Sequence, residues 1–340
     1  MHGVGQMRRR HGWLAALLGA ALLAAPEHGL AQQGAPQTAL PPTIMPPTIM
    51  PPTGGTDPTL LSRLHQQPPN FRAEIELVDP HNLRVCADPN NLPFSNHAHE
   101  GFENKIAELL AGKLGVPVVY TYFPQVIGFV RNTLNAFRCD VVIGDVQGDD
   151  LVQTTAPYYT TAYALVTLAG HGLDGVDRLE DPRLHGKSLG VVARTPPSDI
   201  LLAAGMMSQA RPYQIAFDSR VENPAVQMMQ DLQDGRIDAA VLWGPVAAYQ
   251  ARAAAARGVH VNVVPLLHET LRPMAFHISM GVRHSDQNWK RTLNRLIVEN
   301  QPAITAILEQ YGVPLIDSAA AAPVPRPLAS PETAVMPGGG

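Results

Sequence analysis

The sequence predicts an α/β fold of two lobes joined by two crossing strands. Three observations predict it. Short apolar runs alternate with helical periodicity from residue 83 onward, the alternation restarts after residue 188, and two longer apolar stretches, 159–168 and 274–283, separate the two series. Strand–helix–strand repeats of this kind specify largely parallel sheets covered by helices.

The first series opens with the strand LRVCAD (83–88). A helix is expected over Phe102–Leu114, where Ile106, Leu109, Leu110 and Leu114 share one face. VPVVYTYF (116–123) reads as the second strand, and residues 127–137 as a helix turning Phe129, Val130, Leu134 and Phe137 toward a core. DVVIGD (140–145) is the third strand. In the second series SLGVV (188–192), YQIAF (213–217), DAAVLW (238–243) and VNVVPL (261–266) read as strands. Helices are expected over 198–206, 224–233 and 245–256. YTTAYALVTL (159–168) leaves the first lobe, MAFHISMGVR (274–283) returns to it, and a long helix from Asn288 to Gln310 packs back on it. The resulting division is 71–165 with 267–316 in lobe 1 and 166–266 in lobe 2. The cleft then lies at the carboxyl ends of both sheets, where open α/β sheets bind ligands.

The flanks have a different character. Arg8, Arg9 and Arg10 precede the apolar run Trp13–Ala25, and Gly29 and Ala31 suit a cleavage site after Ala31. Residues 1–31 therefore read as a signal peptide for export to the periplasm. Residues 32–70 read as a disordered Pro-rich linker carrying PPTIM twice, and 317–340 as a disordered Ala/Pro/Gly tail. No second long apolar run follows, so no membrane insertion is expected of the mature form. Removing three arginines and Glu27 with residues 1–31 takes the net charge from -4 to -6. A mildly acidic chain has no electrostatic footprint for nucleic acid. Cys86 and Cys139 form an even pair, which an oxidising compartment turns into a disulfide; two buried thiols are the alternative.

Seven segments carry a family resemblance: RVCADPNNLPFSN (84–96), GFENKIAELLA (101–111), GFVRNTLNAFRCDVVIG (128–144), TTAPYYTTAY (154–163), DAAVLWGPVAAY (238–249), ISMGVR (278–283) and QYGVP (310–314). Over about 82–316 the chain resembles the type II periplasmic binding proteins, solute-binding family 3. Within them it is most similar to the MxaJ/XoxJ-type proteins encoded beside quinoprotein alcohol dehydrogenases. The resemblance implies a two-lobed type II periplasmic-binding-protein fold. It also implies an accessory role for a PQQ-dependent methanol dehydrogenase, assisting assembly or activation by protein–protein contact. The alternative is a receptor delivering a small non-amino-acid ligand to an ABC importer.

Amino-acid-binding members of that wider fold clamp the ligand carboxylate with an Arg after the third strand. An Asp at the end of the second lobe's last parallel strand takes the ammonium group. Neither is expected here. No Arg or Lys lies between Arg138 and Arg178, the loop GDVQGDD (144–150) carries Asp145, Asp149 and Asp150, and Trp243 stands where that Asp would be. Like charges repel a carboxylate, so α-amino-acid binding is disfavoured.

The candidate cleft residues are Asn90, Asn91, Phe94, Ser95, Phe102, Asp145, Arg194, Thr195 and Trp243. Several have a plainer reading. Asn90, Asn91, Pro93 and Ser95 also suit turn chemistry. Thr195 suits a helix N-cap as well as an anion cradle. Trp243 suits core packing as well as a cleft wall or a partner anchor. His97 and His99 lack the further ligands a zinc or copper site needs, so no metal is expected. No nucleophile elbow, P-loop or carboxylate couple appears, so neither a catalytic residue nor a cofactor is assigned. A dehydratase-like enzyme on this fold needs a general acid/base that the sequence does not name.

Overall fold

The computed structural model describes residues 76–214, 219 and 223–321. The expected signal peptide, the linker and most of the C-terminal tail lie outside the described residues.

The first half runs β1 (Leu83–Ala87), β2 (Asn90–Asn91), β3 (Ser95–Asn96), α1 (Phe102–Leu114), β4 (Val118–Tyr122), α2 (Phe129–Asn132), β5 (Val141–Val146), β6 (Gln153–Thr154) and β7 (Tyr159–Leu168). The second half runs β8 (Leu189–Val192), α3 (Pro196–Ala203), β9 (Ala210–Tyr213), α4 (Pro224–Gln233), β10 (Ala239–Trp243), α5 (Gly244–Ala255) and β11 (Val261–Pro265). The chain returns as β12 (Ala275–Val282) and ends in α6 (Gln287–Gln310).

The strands pair in the order β4-β1-β5-β12-β7-β10-β8-β9, with β11 joined to β7 and β6 to β12. β1 is parallel to β4 and β5, and β8 to β9 and β10, as a βαβ reading requires. β7 and β12 run against them and against each other. β7 serves both halves: Tyr159–Ala162 pairs with β12, and Tyr163–Leu168 pairs with β10 and β11.

α1 shows why these segments form where they do. Phe102, Ile106 and Leu110 recur at helical spacing and are fully buried. They share one core cluster with Val85 of β1, Ile143 of β5, Met280 of β12 and Ile304 of α6. Gly101 precedes the helix because a Cβ there would lie 1.9 Å from the Phe94 carbonyl oxygen. The second half has two cores, one built on Leu189, Val191 and Ile200, the other on Met228, Leu232 and Ala240.

Cys86 and Cys139 are disulfide-bonded with their Cα atoms 5.4 Å apart. The bridge closes a separation of 53 residues, worth on the order of 4 kcal/mol in the chain-entropy picture.

Two expectations are corrected. The helix over 127–137 shrinks to Phe129–Asn132. Thr133 ends it: its hydroxyl donates to the Phe129 carbonyl at 2.7 Å, and its backbone leaves helical geometry. Phe137 is therefore not a core residue; it is 46% exposed, and the Arg283 guanidinium lies 4.8 Å over its ring. The strand expected at 213–217 instead covers Ala210–Tyr213, and residues 215–218 lie outside the described residues.

Candidate functional site

The carboxyl ends of β1 and β5, the segment around Gln125, and the junction of β7, β10 and β12 surround one cleft. Its outer part is a cavity of about 660 Å³ walled by Val126, Phe129, Val130, Tyr163, Trp243 and Phe276. Its inner part, about 180 Å³, is lined by Phe94, Glu103, Tyr159, Trp243 and Ile278. Gln125, Gly144, Asp145, Val146 and Trp243 border both parts.

Local sequence places these walls. Trp243 ends β10 and pairs with Tyr163 of β7, where the two rings meet edge-to-face at 5.0 Å. Phe276 of β12 closes the group at 5.9 Å from Trp243 and 6.1 Å from Tyr163. Two of the three contacts are edge-to-face, the arrangement aromatic pairs favour. Trp243 is thus both a packing residue and a cleft wall.

Phe94 sits between the two strands of a small hairpin, β2 and β3, whose turn contains a cis Leu92–Pro93 bond. Asp88 organises this corner. It is buried and accepts hydrogen bonds from the Asn90 amide at 2.9 Å, the Gln125 amide at 2.6 Å and the Ser219 hydroxyl at 2.6 Å. Ser219 belongs to the second half, and its carbonyl also accepts from the Asn90 side chain at 2.8 Å. Asp88 and Asn90 therefore tie the two halves together at one edge of the cleft. Asn91 holds the Gln125 side chain at 3.0 Å.

Of the sequence-predicted residues, the structure brings Phe94, Asp145 and Trp243 to the cleft wall. Asn90 and Asn91 do not border it but brace its edge through the bonds just given. The others are corrected. Phe102 is wholly buried, with its ring 5.2 Å from Phe94 and 6.3 Å from Tyr159, so it backs the cleft without facing it. Ser95 is buried, its hydroxyl donating to the Asp88 carbonyl at 2.9 Å and accepting from the Asp88 amide at 3.1 Å. Thr195 is the residue before α3; its hydroxyl donates to the Val192 carbonyl at 2.6 Å and its amide to Ser198 at 3.1 Å. Those bonds order the turn. Arg194 is exposed and in the left-handed region at φ 62°. It does not border the cleft. The rings of His97 and His99 pack on Tyr122 and Tyr120, with centroids 4.2 and 4.6 Å apart.

The principal residue that sequence reasoning missed is Glu103. It is 7% exposed and borders the inner cleft. Burial, with the charges of Asp145 and Asp88, pushes its carboxyl up to about 8. Burial, with Asp149 nearby, pushes Asp145 up to about 7. Gly144 makes room for Glu103, because a Cβ at that position would lie 2.1 Å from Glu103 Oε1. A signal was present: Glu103 is three, four and seven residues before Ile106, Ala107 and Leu110, so helical periodicity puts it on the buried face.

No protein-family model matches the chain. Among solved structures it is similar to the periplasmic binding protein XoxJ from Methylobacterium extorquens AM1. The two are 40% identical at a TM-score of 0.59, over 69% of this chain and 99% of XoxJ. The chain belongs to the MxaJ/XoxJ-type periplasmic binding proteins. A further member, MxaJ from Methlophaga aminisulfidivorans MPT, is 27% identical at a TM-score of 0.57 over 69% of this chain and all of that one, 100%. Protein MoxJ of Paracoccus denitrificans is 29% identical over 258 residues, 72% of this chain and 93% of MoxJ. The type II two-lobed fold follows from this membership, as does a periplasmic setting. Among the described residues no helix is long and apolar enough to cross a membrane.

Proposed function

We propose that this MxaJ/XoxJ-type protein is an accessory factor of a PQQ-dependent methanol dehydrogenase, assisting its assembly or activation by protein–protein contact. The observation that carries this reading is the cleft: a wide, aromatic-walled cavity with no Arg or Lys among its bordering residues. A nutrient receptor for amino acids requires a cationic clamp there. Apolar side chains are also exposed outside the cleft, with Ile127 at 81% and Leu151 at 61% exposure. Exposed apolar groups beside an apolar cleft fit a surface that meets another protein. Export by the segment 1–31, with cleavage after Ala31, delivers the chain to the compartment of such a dehydrogenase. In this reading 71–165 with 267–316 and 166–266 are the two lobes that hold the partner.

The test is affinity capture of the tagged protein from periplasm, with dehydrogenase activity measured in a deletion strain. Co-purification of the dehydrogenase and loss of its activity in the deletion strain are expected. Absence of a complex together with unchanged activity overturns the reading. The importer alternative draws on the inner cavity of about 180 Å³, which suits a small solute. Transport of that solute, lost on deletion, with the dehydrogenase unaffected, would establish the importer role instead.

A further inference from the structure

The inner cleft holds two acids that no cation neutralises. Among the described residues, no hydrogen bond or ion pair reaches the carboxyl of Glu103, which is only 7% exposed and borders the cavity. Asp145 lies beside it at the end of β5, with no cationic partner among the described residues. The titratable groups facing them add only more acid or phenol: Asp88 from the β1 corner, Asp149 after β5, Tyr158 just before β7 and Tyr159 at its start.

An uncompensated buried carboxylate is costly unless something supplies the opposite charge. An anion is excluded by the sign of the field. A hard metal ion such as calcium takes about six to eight oxygen ligands. Among the described residues no group of three or more His, Cys, Asp or Glu side chains converges to hold one. Apart from Gln125 and Gly144, the rest of the inner wall is aromatic or aliphatic: Phe94, Val146, Tyr159, Trp243 and Ile278. Aromatic faces attract organic cations and shed water.

We propose that the inner cleft binds an organic cation, an alkylammonium or guanidinium group on an apolar stem, with Glu103 and Asp145 holding the charge and Phe94, Tyr159 and Trp243 walling the stem. This chemistry is shared by a free amine and by a Lys or Arg side chain of a protein partner. The inference does not depend on the dehydrogenase reading.

Near neutral pH the cleft alone retains protons, because Glu103 titrates at about 8 and Asp145 at about 7. An entering cation releases them. Its affinity therefore rises with pH between about 6 and 9, by up to about tenfold per unit for each proton released.

The test is calorimetry on the mature protein with n-butylammonium, n-butanol and butyrate, run at pH 6 and pH 8.5. Butylammonium is expected to bind at least tenfold more tightly than butanol, with no binding of butyrate. The Glu103→Gln variant is expected to lose at least tenfold in butylammonium affinity and most of the pH dependence; Asp145→Asn is expected to lose less. Equal affinity for butanol and butylammonium, absence of cation binding, or an unchanged Glu103→Gln variant overturns the proposal. The wild-type comparison of cation with alcohol needs no variant to fold. A doubly blocked lysine, N-acetyl-lysine methylamide, separates the sources: tighter binding than butylammonium marks a protein side chain, weaker binding a free amine. Either order supports the cation site. A negative result here leaves the dehydrogenase capture experiment standing, and the converse also holds.

Discussion

Strand β5 has an acid at each end, and the two are treated in opposite ways. Asp140, just before it, is 1% exposed and fully matched. Arg84 contacts both of its oxygens at 2.7 Å, and Arg283 contacts one at 2.7 Å. Arg283 is itself held by the Cys139 carbonyl at 2.6 Å and by Asp286 at 2.7 Å. Asp145, at the other end, faces the cleft beside Glu103 with no cation among the described residues. Buried charge that serves the fold is paired within the fold. Buried charge left open at a cavity is reserved for something that enters.

The largest effect should come from breaking the paired end. Arg283→Ala leaves Asp140 and Asp286 buried with a charge removed, and should cost about 3–5 kcal/mol. Urea unfolding measures it; a loss under about 1 kcal/mol would mean that Asp140 needs only Arg84.

Replacing both Cys86 and Cys139 by Ala comes next, at about 2–5 kcal/mol. The bridge lies at the same paired end, so cation binding in the cleft should survive at temperatures where the variant is folded.

The unpaired end should answer to pH. A carboxyl raised in the folded state favours folding when protonated, so its contribution is present below about pH 4–5 and fades as pH rises through about 8 for Glu103. Glu103→Gln should leave the melting temperature nearly unchanged at pH 5 and raise it by a few degrees at pH 9. Calorimetric scans across that range decide it; parallel curves for the two proteins would show that Glu103 is charged and compensated.

The smallest stability effect is expected from Gly144→Ala. The new methyl meets Glu103 Oε1, the movable end of a side chain, so about 1 kcal/mol is a reasonable loss. Butylammonium binding should fall more than stability does, because the carboxyl is displaced from the cavity.

Much of the scaffold was legible in the chain. The spans of α1 and β7 match the periodicity residue for residue, and the Cys86–Cys139 pairing followed from compartment and count. α2 was not legible, because an apolar run with helical spacing does not reveal that Thr133 will bond back to Phe129 and stop the turn. In the cleft, Phe94, Asp145 and Trp243 could be placed from strand ends together with the family resemblance. Glu103 was overlooked because an acid in a helix's first turn ordinarily faces water and complements the helix dipole. Gln125, Tyr163 and Phe276 come together only through tertiary packing of segments far apart in sequence.

β7 has a mechanical consequence. The register passes from β12 to β10 and β11 between Ala162 and Tyr163, so a single peptide link divides the strand's two allegiances. Any rotation of one lobe against the other twists the backbone near that link. Tyr159 and Tyr163, which flank it, are cleft walls. The segment shared by the two halves and the wall of the cleft are thus one piece of chain.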